Sequence, residues 1–295
     1  VSRVMNNQGK VRDTTRERVL QAVRELDYTP NLAAASLAAA QHTRIALVYN
    51  NPSGAYLREM LVGLQRVASG TSIHLVIDYW DNSHADAERK AARAMAGKVD
   101  GVILPPPVCE SHTAVSEFVR AGIPVVAIAA GRSSDEISCV RIDDLRAGKE
   151  VAEYLIAQGH ARIGFIKGRP DLSASARRYE GFQAAMAEAG LSVEASLVQQ
   201  GDYTYRSGLK ATEKLLALKR PPSAIIASND DMAAAVISVA HRRGLDVPRD
   251  LAVVGFDDSS SATTVWPELT TIHQPIASMA NAAIDILLRS IRRKD

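Results

Sequence analysis

The chain is 295 residues long and 46% hydrophobic, enough to bury a large core in two compact domains plus a short appendage, which excludes a disordered protein. No apolar run approaches the roughly 20 residues that cross a bilayer, and no secretion signal opens the sequence, so no membrane partner and a cytoplasmic location are expected. The net charge of +2 is too small to announce a nucleic-acid partner, but residues 1–18 hold Arg3, Lys10, Arg12, Arg16 and Arg18 against only Asp13 and Glu17, whereas residues 45–295 carry 28 basic and 29 acidic side chains.

Val19, Leu20, Val23 and Leu26 stand at helical spacing behind a Thr14-x-x-Glu17 capping-box pattern, which predicts a helix over 14–27. Such a helix cannot fold alone. Tyr28-Thr29-Pro30 stops it, and Asn31 can cap a short alanine-rich segment over 32–40, read as a linker with helical potential. From Arg44 onward, apolar runs near 45–49, 73–79, 101–104, 123–129, 163–166, 224–227 and 251–255 alternate with amphipathic segments. Continuous apolar strands each followed by a helix predict parallel sheets buried on both faces. Two sheets, one starting near 45 and one near 160, fit the length better than one.

In open parallel sheets the ligand sits beyond the carboxyl ends of the strands. Five polar clusters occupy such positions: 49–53, 78–81, 141–144, 228–231 and 255–259. Taken singly, each Asp or Asn there reads as a helix N-cap. Taken together, they suit a sugar-like ligand that needs donors and acceptors from several loops. The alternative of an enzyme finds no nucleophile elbow, phosphate loop or zinc-binding helix. The seven histidines show no i, i+4 metal pair, and Cys109 and Cys139 lack metal or redox spacing. Catalytic residues, metals and cofactors are therefore expected to be none. The carboxylate pairs at 143–144, 230–231 and 257–258 leave a glycosidase as the rival, though adjacent side chains usually point apart.

Ordered motifs along nearly the whole chain resemble the lactose/galactose repressor (LacI/GalR) family of transcription regulators. At the front these are Val1-Ser2-Arg3-Val4-Met5-Asn6, Thr15-Arg16-x-Arg18-Val19, Asp27-Tyr28-Thr29-Pro30-Asn31 and Ser36-Leu37. Downstream they are Asp143, Gly159-His160, Arg178-x-x-Gly181-Phe182, Ser228-Asn229-Asp230, Gly255-Phe256-Asp257-Asp258 and Leu269-Thr270-Thr271-Ile272-His273-Gln274. The resemblance implies an α/β fold with two doubly wound parallel-sheet subdomains of the periplasmic-binding-protein type, behind a partial helical DNA-binding head. The implied boundaries are 1–30 for the helix-turn-helix head, 31–43 for the hinge helix, 44–156 with 275–295 for the first subdomain, and 157–274 for the second.

It further implies that Arg3 reads a base edge, Ser2 and Asn6 contact phosphate, and Leu37 wedges between base pairs of operator DNA. Ala35 departs from the arginine common there, and Arg12 from a capping serine, which leaves Asp13 or Thr14 to cap. The first helix of the head is missing before Val1, so the chain is expected to be a fragment, mobile over 1–40, that binds DNA poorly. In the core, Arg178, Asn229, Asp257, Gln274 and Tyr203 are the implied effector ligands, with Asp81 and Asp144 added from the first subdomain. Most of these are also open to plain readings, Tyr203 as a packed loop aromatic and Leu37 as an ordinary helix residue. A sugar is the expected effector, ahead of a nucleobase or nucleoside, and a homodimer the expected assembly. A sugar-binding protein with the same core and no DNA role is the other rival; it has no reason to carry the Val1 to Leu37 motifs.

Overall fold

The computed structural model describes residue 4 and residues 12–25, 42–80, 84–131 and 136–293. The chain divides into two units, 1–42 and 43–295, taken here one at a time. In the first unit, helix α1 (Asp13–Glu25) begins one residue earlier than the capping-box pattern predicts. The Arg12 carbonyl accepts from the backbone amides of Thr15 and Arg16, so Arg12 takes the capping position and Thr14 lies inside the first turn, where its hydroxyl no longer precedes the free amides. The second predicted helix, over 32–40, lies outside the described residues.

The second unit runs β1 (Thr43–Tyr49), α2 (Gly54–Ala68), β2 (Ile73–Tyr79), α3 (Ala85–Ala96), β3 (Gly101–Leu104), α4 (His112–Arg120), β4 (Val125–Ile128), β5 (Ser138–Val140) and α5 (Asp144–Ala157), with a 3-10 turn, Val108–Glu110, before α4. It continues through β6 (Ile163–Lys167), α6 (Ser173–Glu188), β7 (Val198–Gln200), α7 (Tyr205–Leu216), β8 (Ala224–Ala227), α8 (Asp230–Arg242), β9 (Ala252–Asp257), α9 (Ser260–Thr264), β10 (Thr270–His273) and α10 (Ile276–Arg292). The strands form two five-stranded sheets, ordered β2-β1-β3-β4-β5 and β10-β9-β8-β6-β7. Every pairing is parallel. The central strands β3, β4, β8 and β9 are buried along their whole length, as sheets covered by helices on both faces require.

Each sheet has its own core. Ile45, Leu47 and Ile103 of the first pack under α2 and α10, with Ile276, Ala280, Ile284 and Leu287 of α10 filling that layer. On the second sheet Phe165 meets Phe182 at a ring distance of 4.9 Å. Val151, Ala152 and Leu155 of α5 join this same core. Helix α5 falls inside 44–156 in the sequence reading, but its packing puts it with the second sheet, so the chain changes layer at 141–143 rather than near 156. The reason lies in Gly148 and Gly181. A side chain at Gly148 would overlap the Arg178 carbonyl, and one at Gly181 the Leu145 carbonyl, so α5 and α6 approach at backbone distance and cannot belong to different layers.

Candidate functional site

The carboxyl ends of the two sheets face one cleft, with about 510 Å³ of atom-free space partly open to solvent. Seven of its wall residues sit at or just beyond strand ends. Asn51 follows β1, Pro106 follows β3 and Ala129 follows β4. From the second sheet, Leu172 lies beyond β6, Asn229 follows β8, Asp257 ends β9 and Gln274 follows β10. Three of the five predicted strand-end clusters, 49–53, 228–231 and 255–259, contribute to this cleft; 141–144 does not, nor does 78–81 as far as Trp80.

Arg178, on α6, is the centre of the polar wall and is only 6% exposed. Its Nε donates to Asp144 Oδ1 at 2.8 Å, one Nη to the Ser228 carbonyl at 2.7 Å, and the other to Gln274 Oε1 at 3.4 Å. The guanidinium lies 3.4 Å from the centre of the Phe256 ring. Burial opposes its charge, but Asp144, Tyr203 and Asp257 outweigh that and raise its pKa. Asp144 is itself buried and does not line the cleft. It stands behind Arg178 as its ion partner, which corrects the expectation that it meets a ligand. The arginine's charge is thus already balanced, so among the described lining residues the cleft offers no free cation to a carboxylate or phosphate.

Asp257 is 7% exposed with a positive φ of 108°, a conformation that non-glycine residues hold only where the surroundings fix it. Burial pushes its carboxyl well above the usual carboxylate range, and Asp230, Asp231 and Asp144 add to this against the opposing pull of Arg178. Tyr56, on the first turn of α2, brings a hydroxyl from the opposite wall. It is buried and has no hydrogen-bond partner. Burial raises its pKa well above the ordinary tyrosine value, with a further contribution from Asp257. An unpaired buried hydroxyl costs about 1–3 kcal/mol, so its place beside a cleft calls for a ligand group.

The other predicted residues line the same cleft with their polar atoms occupied. Asn229 caps α8, accepting from the Met232 amide and donating to the Tyr203 carbonyl, both at 3.0 Å. The plain N-cap reading is correct for this side chain. Tyr203, at a positive φ of 70°, lays its ring where a side chain on Gly168 would stand. Gln274 Nε2 turns toward the Met279 sulfur at 3.7 Å. Asp81, Ser2, Arg3, Asn6 and Leu37 lie outside the described residues. The cluster at 78–81 turns away from the cleft as far as Trp80, which is buried against Phe118 in the first sheet's core at 6.0 Å between rings. Sequence reasoning passed over Tyr56, Pro106, Pro107 and Leu172. Tyr56 had one signal: it sits three residues past the strand-end cluster, one turn into the helix that Ser53 caps.

Among the described residues, hydrogen bonds join the two walls at two points. Ser53 Oγ donates to Asp231 Oδ2 at 2.7 Å, joining the starts of α2 and α8. At another point Glu110 accepts from both the hydroxyl and the amide of Ser173, the amide at 3.2 Å.

Comparison with known proteins agrees with this architecture. The profile described as bacterial regulatory proteins, lacI family, matches residues 1–31, and that of the periplasmic binding protein-like domain matches 152–295. The chain is 34% identical to the catabolite control protein A of Priestia megaterium over 100% of its own length and 89% of that protein's. It is 31% identical to the ribose operon repressor of Escherichia coli (strain K12), over 99% and 88% respectively. Among solved structures, the transcriptional regulator CelR-cellobiose complex superposes with a TM-score of 0.78 at 30% identity, covering 100% of this chain and 89% of that one. These relatives are transcriptional regulators, not enzymes.

Proposed function

Because the chain belongs to the lacI family of bacterial regulatory proteins, and is thereby an effector-responsive DNA-binding transcriptional regulator, we propose that its effector is a neutral sugar held in the cleft between the two sheets. The observation that carries this reading is the Tyr56 hydroxyl, buried and unpartnered, on a residue that lines the same cleft as Asp257 and Arg178. A sugar hydroxyl placed there accepts from Arg178 or Tyr56 and donates to the Asp257 carboxylate, so one small group joins both walls. The balanced charge of Arg178 favours a neutral polyol over an anion. Arg178, Asp257, Tyr56 and Tyr203 are the proposed contacts, with Asn229 and Gln274 holding the wall and Asp144 holding Arg178. Among the relatives, the solved CelR structure is a complex with cellobiose, in keeping with a sugar.

A ligand that touches both walls binds their closed arrangement better than an open one, and only such differential affinity shifts the population. That shift would reach the head over 1–30 through the hinge over 31–43 and change the affinity for operator DNA in the cytoplasm by a coupling energy typically of 1–3 kcal/mol. Ser2, Arg3, Asn6 and Leu37 are the proposed DNA contacts.

Tyr56→Phe tests the site. Removing an unsatisfied hydroxyl is expected to leave the ligand-free melting temperature unchanged or raise it, while the stabilisation by a binding sugar falls. A ligand at 100 times its Kd adds about 2.7 kcal/mol to the wild type, a shift that thermal melts against a panel of sugars will register. A lower ligand-free melting temperature, with the sugar response intact, would remove the tyrosine from the site.

The assembly proposed is a homodimer. The edge strand β2 exposes Ile77 (50%) and Tyr79 (58%), an apolar strand edge that a second copy would cover. Ile77→Asp is expected to convert the dimer to a monomer in sedimentation measurements; an unchanged mass would place the contact elsewhere.

A further inference from the structure

The helices that cover the first sheet finish at the end where its strands begin, and that end is basic. The last turns of α2, α3, α4 and α10 carry Arg66, Arg93, Arg120 and the pair Arg289 and Arg292. Lys98 precedes β3, and Arg44 is the second residue of β1, its backbone amide held by Asp100. Two contacts bring α10 to this end. Leu287 lies over Gly101, the first residue of β3, and Ser290 shares a cavity wall with Pro124, Val125 and Ser138 at the starts of β4 and β5.

A basic residue in the last turn is what a helix dipole favours by itself. The dipole does not account for the rest. On the second sheet α5 and α6 end without one, whereas Lys98 and Arg293 follow helices that already have theirs, and Arg44 belongs to a strand. Ion pairing differs as well. At the matching end of the second sheet Arg162, Arg242, Arg243 and Arg249 each pair with a carboxylate, Glu194, Glu213 or Asp246. At the first, Arg93 and Arg120 share Glu117, but Arg66, Lys98, Arg289, Arg292 and Arg293 are exposed and have no ion partner among the described residues. Unpaired like charges gathered on one face attract a polyanion.

Chain connectivity says which polyanion. Residues 1–42 join this unit at Thr43, where β1 begins, so a duplex held by the head is tethered to this end of the core. Strands about 4.8 Å apart make the five-stranded end roughly 20 Å wide, and that length of duplex carries roughly a dozen charges. We propose that this end of the first sheet is a second DNA-binding surface, which holds phosphate backbone without reading sequence. It rests on the chain being a DNA-binding regulator and adds contacts outside the head and hinge.

The test is binding of the whole chain to a duplex of arbitrary sequence, read by fluorescence anisotropy between about 50 and 200 mM salt. The triple variant Arg289→Gln, Arg292→Gln, Arg293→Gln is expected to bind tenfold or more weakly at low salt. Its slope of log affinity against log salt should flatten by about 2 to 3, at roughly 0.9 per phosphate contact. The triple variant Arg206→Gln, Lys210→Gln, Lys214→Gln, on an exposed stripe of α7, removes the same charge elsewhere and is expected to change neither quantity. If the α10 variant fails to fold, the double variant Arg66→Gln with Lys98→Gln carries the same reading, with a slope change of about 1 to 2. Equal losses from the two triple variants would assign the effect to net charge alone and overturn the proposal. An unchanged salt slope would overturn it too, and loss of binding to poly-L-glutamate in that case would give the face to an acidic protein. Either failure leaves DNA binding by the head standing.

Discussion

Arg178→Ala is expected to lower the stability of the core by about 3–5 kcal/mol, because it strands Asp144 as an unpaired buried charge. The guanidinium is bonded through all three nitrogens and lies on the Phe256 ring, so the truncation also orphans the Ser228 carbonyl and leaves a gap under α6. At 2–4 °C per kcal/mol for a chain of this size, the melting temperature should fall by roughly ten degrees. Arg178→Lys should recover little of it, since an ammonium cannot reach Asp144, Ser228 and Gln274 at once. Because the alanine variant tests folding and binding together, the discriminating version is the double change Arg178→Met with Asp144→Leu. Removing both charges is expected to restore most of the stability while the sugar response stays absent. A single alanine variant that melts within about a degree of the wild type would show that the pair does not hold the second sheet's helices.

Asp257→Asn should act in the opposite sense on stability. The carboxyl is pushed well above its ordinary range by burial, so the folded chain holds this proton more tightly than the unfolded one. Stability therefore falls as pH rises from the ordinary aspartate value, about 3.9, through the raised value, and is flat above it. Asparagine tolerates the positive φ at this position and removes the titration. The variant is thus expected to be at least as stable as the wild type near neutral pH and to lack that decline. Its sugar affinity should drop by tenfold or more, a charge-assisted bond contributing about 1.5–3 kcal/mol. In the wild type, affinity should rise with pH through the raised value, because the ionised carboxylate accepts from a sugar hydroxyl more strongly than the protonated one does. Calorimetric titration across that window reads both trends. An affinity flat with pH, or an asparagine variant that binds normally, would take Asp257 out of the site.

Much of this was legible in the residue order. Apolar runs broken by amphipathic segments imply parallel sheets, and the strand-end rule then leads to the clusters that hold Asn229 and Asp257 before any coordinate is known, whereas Gln274 comes only with the family resemblance. What the order of residues hides is direction. Asn229 and Asp257 look alike as strand-end acceptors, yet one caps α8 and the other faces open space. Asp144 sits beside the cap residue Asp143, and only the close approach of α5 to α6 reveals that it holds Arg178. That approach rests on glycines at 148 and 181, which a periodicity argument treats as weak helix formers rather than as contacts. Tyr56 escaped for a related reason, since an aromatic residue one turn into a helix reads as core until its hydroxyl is found without a partner.

The hydrogen bonds from Ser53 to Asp231 and from Ser173 to Glu110 bear on how far such a switch can be thrown. They bind the two walls together through the protein's own side chains, so part of the closure energy belongs to the protein. An effector can act only on the fraction of molecules still open, and the apparent dissociation constant improves as the closed fraction grows. Sensitivity and dynamic range therefore trade against each other through four side chains, of which Ser53 alone borders the cleft. Changes at the other three would let the set point drift to suit a scarce or an abundant sugar while the residues that meet it stay as they are.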